Sequence, residues 1–204
     1  MSKVASDEAM GDLILAERGA DLGANGYEVS ALRHMMVVGG TFADWRDLTE
    51  ERWQTRVREL GAGVAAMGGS WLTLRAYELG PEDLSLERWT HEVQGPDGRI
   101  CTVIVDPCAD GRGRFVDAMA AVDPSIEVNE TTVASALYEP ADCEPDAVLI
   151  LGPDTQLPPS LVWELAYAEL VFTPLRWDQL ELEHVMAAIT DFGARRRRFG
   201  GLDE

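Results

Sequence analysis

Arginine clusters are the part of this sequence best suited to chemistry, because guanidinium groups bind phosphate and carboxylate anions. Residues 111–115 read Gly-Arg-Gly-Arg-Phe at a predicted helix start, which can bind an anion, although we favour a structural role there. Arg52, Arg56 and Arg58 lie on a predicted helix, where we favour a solvated face over a phosphate clamp. Residues 195–198 are four arginines that end the last predicted helix, where cations stabilise the helix dipole.

The hydrophobic pattern predicts alternating strands and helices that would position these groups. Apolar runs predict strands at residues 35–38, 71–77, 100–105, 124–128, 147–151 and 170–173. Helical spacing predicts helices at residues 49–66, 82–93 and 131–137, from residue 111, around Leu161, Leu165 and Ala168, and through Val185, Ile189 and Phe192. This alternation predicts a three-layer α/β domain with a mostly parallel sheet of about six strands.

Length and charge limit the classes of function. The chain has 204 residues, enough for one domain, which we expect at residues 31–204 after a polar, tail-like segment at residues 1–30. A net charge of −19 argues against general binding to nucleic acid or anionic lipid. The three cysteines lack metal-ligand spacing, and no apolar run approaches the ~18 residues of a membrane span. We therefore expect a cytoplasmic protein with reduced thiols.

The C-terminal block resembles the cis-prenyltransferases, the undecaprenyl diphosphate synthase family, and a weaker resemblance covers most of the remaining chain. The matching positions are Trp163, residues 166–170 (Ala-Tyr-Ala-Glu-Leu), Phe172-Thr173, Trp177 and residues 197–201 (Arg-Arg-Phe-Gly-Gly). The resemblance implies that an Arg-x-Gly motif, here Arg198, Phe199 and Gly200 with Gly201 following, helps to hold the phosphates of isopentenyl diphosphate across a dimer interface. It also implies that Glu169 lies near the metal and phosphate site.

The same resemblance implies a dimer-forming helix at residues 163–170 and places four residues at the dimer interface. These are Trp163, Tyr167, Leu170 and Phe172.

The first motif of the family is altered in this sequence. The family has a strand followed by Asp-Gly-Asn-Gly-Arg-Trp, and here the metal-binding aspartate falls on Gly40, the asparagine on Phe42 and the phosphate-binding arginine on Asp44. Only His34 and Trp45 are retained. Ionising an allylic diphosphate requires a divalent metal and donors that neutralise about three negative charges. We therefore expect no catalytic or metal-binding residue in this chain.

The second half-site, for isopentenyl diphosphate, is altered as well. Its two arginines fall on Ile150 and Gln156, and its Ser-Asn pair falls on residues 158–159, Pro-Pro. Charged hydrogen bonds contribute about 1.5–3 kcal/mol each, so losing two weakens diphosphate binding by about 3–6 kcal/mol. The short segment at residues 82–93 leaves too little apolar wall for the family's product tunnel, which we expect to be collapsed or absent.

The favoured hypothesis is a non-catalytic subunit of a heteromeric cis-prenyltransferase, resembling the Nogo-B receptor type, that is inactive alone. Its partner would be a catalytically intact homologue that binds Mg²⁺, an allylic diphosphate and isopentenyl diphosphate and makes a Z-polyprenyl diphosphate. Arg198, Gly200 and Gly201 would complete the partner's site. The alternatives are a divergent short-chain or lavandulyl-type prenyl diphosphate synthase, and a catalytically dead scaffold that keeps only the dimer surface.

Overall fold

The centre of the molecule is a six-stranded sheet. The computed structural model describes residues 32–78, 87–153 and 156–194. The strands are β1 (His34–Val38), β2 (Trp71–Arg75), β3 (Trp89–Gln94), β4 (Ile100–Asp106), β5 (Ala147–Leu151) and β6 (Glu169–Thr173). Their order across the sheet is β3-β4-β2-β1-β5-β6, and all neighbours are parallel except the β3–β4 hairpin.

Helices cover both faces of the sheet. They are α1 (Phe42–Arg46), α2 (Glu50–Ala66), α3 (Gly111–Ala121), α4 (Glu130–Tyr138) and α5 (Leu182–Ala194). Side chains alternate across the pleat, so Met35 and Val37 pack in one core with α2 and α5, whereas Met36 and Val38 pack in the other with α3 and α4. The predicted three-layer fold with a mostly parallel sheet is confirmed.

Several helices begin at the caps that the sequence predicts, and they bury the predicted apolar residues. Thr49 caps α2 by accepting a hydrogen bond from the backbone N–H of Arg52, and Asn129 and Thr132 form a capping box at α4. The predicted apolar stripes are buried, namely Trp53, Val57, Leu60 and Val64 on α2, and Val185, Ile189 and Phe192 on α5. No helix in the described ranges is both long and apolar enough to cross a bilayer.

The prediction of a helix at residues 82–93 is wrong for residues 89–93, which lie in a strand. Residues 79–86 lie outside the described ranges. Trp89–Gln94 is strand β3, which pairs with β4 through the turn at residues 95–98. Its inward residues recur every second position, with Val93 buried and Trp89 half-buried on the α2 side of the sheet. The turn sequence Gly-Pro-Asp-Gly therefore joins two strands, not a helix and a strand.

Two further predicted elements are absent at the positions expected. Residues 124–128 form no strand, because Asp123 accepts hydrogen bonds from Ser125 and its carbonyl binds the N–H of Ile126, which makes a turn. The helix predicted around Leu161 and Leu165 is a single 3-10 turn, Glu164–Ala166. There Leu161 and Glu164 are both buried, and the chain must extend again to begin β6.

Candidate functional site

The altered motifs meet at the carboxyl edge of the parallel strands, which is where open α/β sheets bind ligands. The segments that follow β1 and β2 are joined there by backbone hydrogen bonds from Gly39 N to Arg75 O (3.0 Å) and from Tyr77 N to Gly40 O (2.9 Å). The Tyr77 hydroxyl donates to the carbonyl oxygen of Gln156, on the segment after β5, at 2.9 Å. Hydrogen bonds within the chain thus connect the segments after β1, β2 and β5 at this edge.

Gly40, where the sequence resemblance places the family's metal-binding aspartate, has no room for a side chain. Its φ of 78° lies in the left-handed region, which favours glycine. A Cβ at this position would lie 2.8 Å from Trp177 Cγ and 2.8 Å from Trp45 Nε1. Trp45 is fixed there because its Nε1 donates to the carbonyl oxygen of Gly39 at 2.9 Å. A carboxylate therefore cannot replace Gly40 without moving two indole rings.

Four tryptophans fill the core beside Gly40. The rings of Trp45 and Trp177 stack with centroids 5.3 Å apart, and Trp53 meets Trp45 edge-on at 5.0 Å and Trp177 at 6.0 Å. Trp89 of β3 adds a fourth ring, 6.4 Å from Trp53. Together these rings pack this part of the core with aromatic surface.

The Asp44 side chain helps to cap the N-terminus of α1. Its carboxylate accepts hydrogen bonds from the backbone N–H and the hydroxyl of Thr41, both at 2.8 Å, and the Thr41 hydroxyl accepts from Asp44 N. This is a capping box, so the displaced carboxylate stabilises a helix end. Across the described ranges no three His, Cys, Asp or Glu side chains are grouped so that they could hold a metal ion. The residues present do not fit a Mg²⁺ site near Gly40.

A buried ion-pair cluster lies at the ends of β2 and β4, formed by Arg75, Asp106, Arg114 and Glu164. Arg75 contacts Glu164 at 2.7 Å and Asp106 at 3.3 Å, and Arg114 lies 3.5 Å from each of the same two carboxylates. Burial alone would raise the pKa of Glu164, but Arg75 and Arg114 outweigh burial and hold the pKa below its ordinary value. Two cations and two anions neutralise each other, which leaves no net charge to attract a diphosphate.

The helix start at residues 111–115 is part of the scaffold, as favoured from the sequence. The Asp110 carboxylate caps α3 by accepting from the N–H groups of Arg112 and Gly113, both at 3.0 Å, which occupies the positions that an anion would take. Arg114 points inward to the ion-pair cluster and also donates to the carbonyl oxygen of Leu137 at 3.1 Å.

His34, the other retained residue of the first motif, is a structural histidine. It is fully buried, with Nδ1 3.0 Å from the carbonyl oxygen of Cys143 and Nε2 2.9 Å from the Thr73 hydroxyl. Because a carbonyl can only accept, Nδ1 carries the proton and Nε2 accepts from Thr73. Burial lowers the pKa of His34 to about 4, so the ring is neutral at physiological pH.

The positions that the resemblance assigns to the two arginines of the second half-site carry no cation. Ile150 is fully buried in β5, and Gln156 is exposed. Of the three arginines on α2, Arg52 and Arg58 are exposed, as expected. Arg56 differs, since its guanidinium lies 4.6 Å above the Trp177 ring and is half-buried beside a groove of about 850 Å³ between α2 and α5. Stacking on Trp177 explains the difference.

The residues assigned to a dimer interface lie on the 3-10 turn and β6, not on a helix. Tyr167 and Phe172 are exposed at 59% and 39%, whereas Trp163 and Leu170 are half-buried. Trp163 stacks on Phe115 at 6.0 Å. Glu169 is the half-buried first residue of β6. Arg198, Gly200 and Gly201 lie outside the described ranges.

The sequence did not predict that Trp177 packs over Gly40 or that Arg75 pairs with Asp106 and Glu164. Arg75 is a charged residue inside the apolar run that predicts a strand at residues 71–77, and that inconsistency signals a buried ion pair. The sequence contains no comparable signal for Trp177 packing over Gly40.

Part of the chain is similar in sequence to known proteins. Residues 101–200 match the sequence family described as "Putative undecaprenyl diphosphate synthase". The chain is 36% identical over 77 residues to an isoprenyl transferase of Rhodopirellula baltica, covering 38% of this chain and 32% of the relative. It is 36% identical over 101 residues to that of Neisseria gonorrhoeae (47% and 40%), and 32% over 124 residues to that of Chromobacterium violaceum (58% and 47%). The chain thus spans about a third to a half of the relatives it matches.

The fold has a counterpart among solved structures. The crystal structure of a probable undecaprenyl diphosphate synthase from Campylobacter jejuni superposes with a TM-score of 0.56 and 16% identity, covering 83% of this chain and 99% of that one. At this identity the likeness concerns the fold alone. Residues 101–200 of this chain are thus similar in sequence to the undecaprenyl diphosphate synthase family of cis-prenyltransferases, and the described residues share the fold of a probable undecaprenyl diphosphate synthase.

Proposed function

We propose that this chain is the non-catalytic subunit of a heteromeric cis-prenyltransferase. The observation that carries the proposal is the enclosure of Gly40, where a left-handed backbone and two indole rings exclude the carboxylate that would bind Mg²⁺. Removing one well-placed electrostatic group typically costs about 100- to 1,000-fold in rate, and here the metal ligand and its neighbouring cation are both missing. The chain alone therefore does not ionise an allylic diphosphate.

The cations that remain in the described part of the site support the same conclusion. Arg75 and Arg114 are committed to Asp106 and Glu164, so neither is available to a substrate phosphate without breaking a buried pair. Breaking such a pair costs about 3–5 kcal/mol, which is more than a charged hydrogen bond to a phosphate returns.

The chain's contribution to catalysis is its C-terminal motif. In the proposed complex Arg198, with the backbone N–H groups of Gly200 and Gly201, binds phosphate oxygens of isopentenyl diphosphate in the partner's site. The partner is a catalytically intact relative that supplies the Mg²⁺ ligands. It joins an allylic diphosphate to isopentenyl diphosphate, releasing diphosphate and a proton and forming a Z-polyprenyl diphosphate.

Co-expression with an intact relative from the same genome tests the proposal, with product formation and complex mass as the two readouts. Arg198→Ala should lower turnover of the complex by about 100-fold or more while the complex stays assembled. Arg195→Ala is the matched control, because it removes the same charge outside the Arg-x-Gly motif, and it should leave turnover close to wild type.

Two outcomes would reject the proposal. Product from the purified chain alone, with Mg²⁺ and both substrates, would show a synthase with its own active site. Full activity of the Arg198→Ala complex would leave a scaffold role, because a scaffold does not need that guanidinium.

A further inference from the structure

One continuous region of the chain is rich in acidic residues and has no basic residue of its own. Residues 115–175 contain eleven acidic residues and no Lys, Arg or His, so all 17 lysines and arginines lie outside this region. Cations from elsewhere offset part of this charge, as Arg33 pairs with Asp142 at 2.9 Å, and Arg75 and Arg114 pair with Glu164. The region comprises most of α3, all of α4, β5 and β6, and the 3-10 turn.

The same region carries exposed apolar side chains. Val162, Leu165, Tyr167 and Phe172 have exposures of 49%, 46%, 59% and 39%. Phe172 lies on β6, which is an edge strand of the sheet, and the other three lie at residues 162–167, on and around the 3-10 turn that precedes it. Exposed apolar residues grouped in this way are typical of a protein interface.

Two carboxylates lie beside aromatic side chains of this region. Glu130, in the first turn of α4, lies beside Tyr167 and raises the pKa of Tyr167. Glu144 lies beside Trp163, and burial raises its pKa. The nearest arginines in sequence are engaged, since Arg114 is in the ion-pair cluster and Arg176 pairs with Asp178 at 2.6 Å. We call Val162, Leu165, Tyr167, Phe172, Glu130 and Glu144 the acidic face.

A symmetric dimer would bring two copies of the acidic face together. In a two-fold interface the same patch packs on itself, so the carboxylates of one copy approach those of the other. Like charges in contact across an interface cost several kcal/mol and disfavour that pairing. A partner with arginines or lysines at the facing positions gains association rate and selectivity from the same field.

We propose that the acidic face binds a cationic surface of a different protein and prevents a second copy of this chain from docking there. The identification of that protein as a catalytically intact relative rests on the proposed function, whereas the exclusion of a second copy does not. Charge therefore selects the heteromer over the homodimer.

The self-exclusion half is tested on the isolated full-length chain by sedimentation velocity. Wild type should be monomeric at about 50 mM NaCl and should self-associate more tightly at about 500 mM, where the Debye length falls several-fold. The double variant Glu130→Gln/Glu144→Gln should self-associate at least about tenfold more tightly than wild type at low salt. Glutamine keeps an acceptor for Tyr167, so the fold is not altered.

The matched control is Glu51→Gln/Glu59→Gln, which removes two exposed carboxylates from α2, on the opposite side of the sheet. It should behave as wild type. The inference is overturned if the acidic-face variant associates no more tightly than wild type, or if the control variant associates equally tightly.

The partner half uses the co-expressed complex with an intact relative. Its dissociation constant should rise with salt, and Glu130→Gln/Glu144→Gln should weaken the complex at low salt; a complex insensitive to both would reject a cationic partner. Loss of turnover plays no part in either measurement, so a failure of the proposed function and a failure of this inference are distinguishable.

Discussion

At the scale of single residues, Gly40 determines what the site can do. The left-handed φ of 78° and the approach of Trp45 and Trp177 are separate constraints, one on the backbone and one on side-chain space. Either alone could be relieved by a small shift, but Trp45 is also fixed by its hydrogen bond to Gly39. The packing around Gly40 therefore excludes a carboxylate side chain, and a change at residue 40 alone does not make room for one.

Gly40→Asp should not restore activity to the isolated chain and should destabilise it. A non-glycine residue in the left-handed region costs about 1–3 kcal/mol, and overpacking the indole rings costs about another 1–3 kcal/mol. Chemical denaturation monitored by tryptophan fluorescence measures the loss directly.

Gly98→Asp is the control for this substitution. Gly98 has a similar φ of 86°, but a Cβ there meets only Gln94 Nε2 at 3.8 Å. It should show the backbone cost alone. Equal losses in the two variants would mean that the indole rings move aside freely and that Gly40 is not enclosed.

At the scale of elements, the buried ion-pair cluster joins four separate pieces of the fold. Arg75 ends β2, Asp106 ends β4, Arg114 lies on α3 and Glu164 begins the 3-10 turn. Glu164 is held inside by two arginines at the start of this short turn. The cluster thus sets the position of the segment that carries the exposed apolar residues.

Glu164→Gln should cost about 3–5 kcal/mol of unfolding free energy, because it leaves an unbalanced buried cation. Arg75→Met should cost a similar amount, because it leaves an unbalanced buried anion. The double variant Arg75→Met/Glu164→Gln should be more stable than the sum of the two losses by about 1–3 kcal/mol. A double-mutant cycle by chemical denaturation measures this coupling.

The exposed pair Arg46–Asp47, 3.2 Å apart, is the matched control for the cycle. Its double-mutant cycle should give a coupling close to zero, because solvent screens exposed pairs. Additive losses for Arg75 and Glu164 would contradict the assignment of these residues to one cluster.

At the scale of the whole molecule, the net charge of −19 affects both association and stability. Acidification protonates surface carboxylates and relieves their mutual repulsion, which by itself favours the folded state. His34 acts in the opposite direction. Its pKa is about 4 in the folded chain and about 6.5 when unfolded, so between these values the unfolded chain binds a proton that the folded chain does not.

Stability from neutral His34 is therefore complete above about pH 6.5 and is lost as the pH falls towards 4. Between pH 7 and pH 5 the wild type should lose about 2 kcal/mol more than His34→Gln, which has no ring to protonate. Urea denaturation at the two pH values gives the difference. His184→Gln, which changes a half-exposed histidine on α5, should follow the wild type; identical slopes for wild type and His34→Gln would show that His34 is not buried in its neutral form.

Most of the fold was predictable because its signals are local. The stripe of Trp53, Val57, Leu60 and Val64 and the cap at Thr49 define α2 without reference to the rest of the chain. The errors at residues 82–93 and around Leu161 arose where short apolar segments fit either a strand or a helix. Residues 89–94 pair with β4 in a hairpin, and residues 164–166 form a short turn whose Glu164 pairs with the distant Arg75.

The sequence by itself determined the three-layer architecture, the absence of a carboxylate at residue 40 and the acidic character of residues 115–175, since these depend on residue types and their spacing. Only the tertiary structure decided that Trp45 and Trp177 enclose Gly40 and that Arg75 and Arg114 neutralise Asp106 and Glu164. Most of these contacts join residues far apart in the chain. Their geometry follows from how the packed layers meet, which spacing along the sequence does not encode.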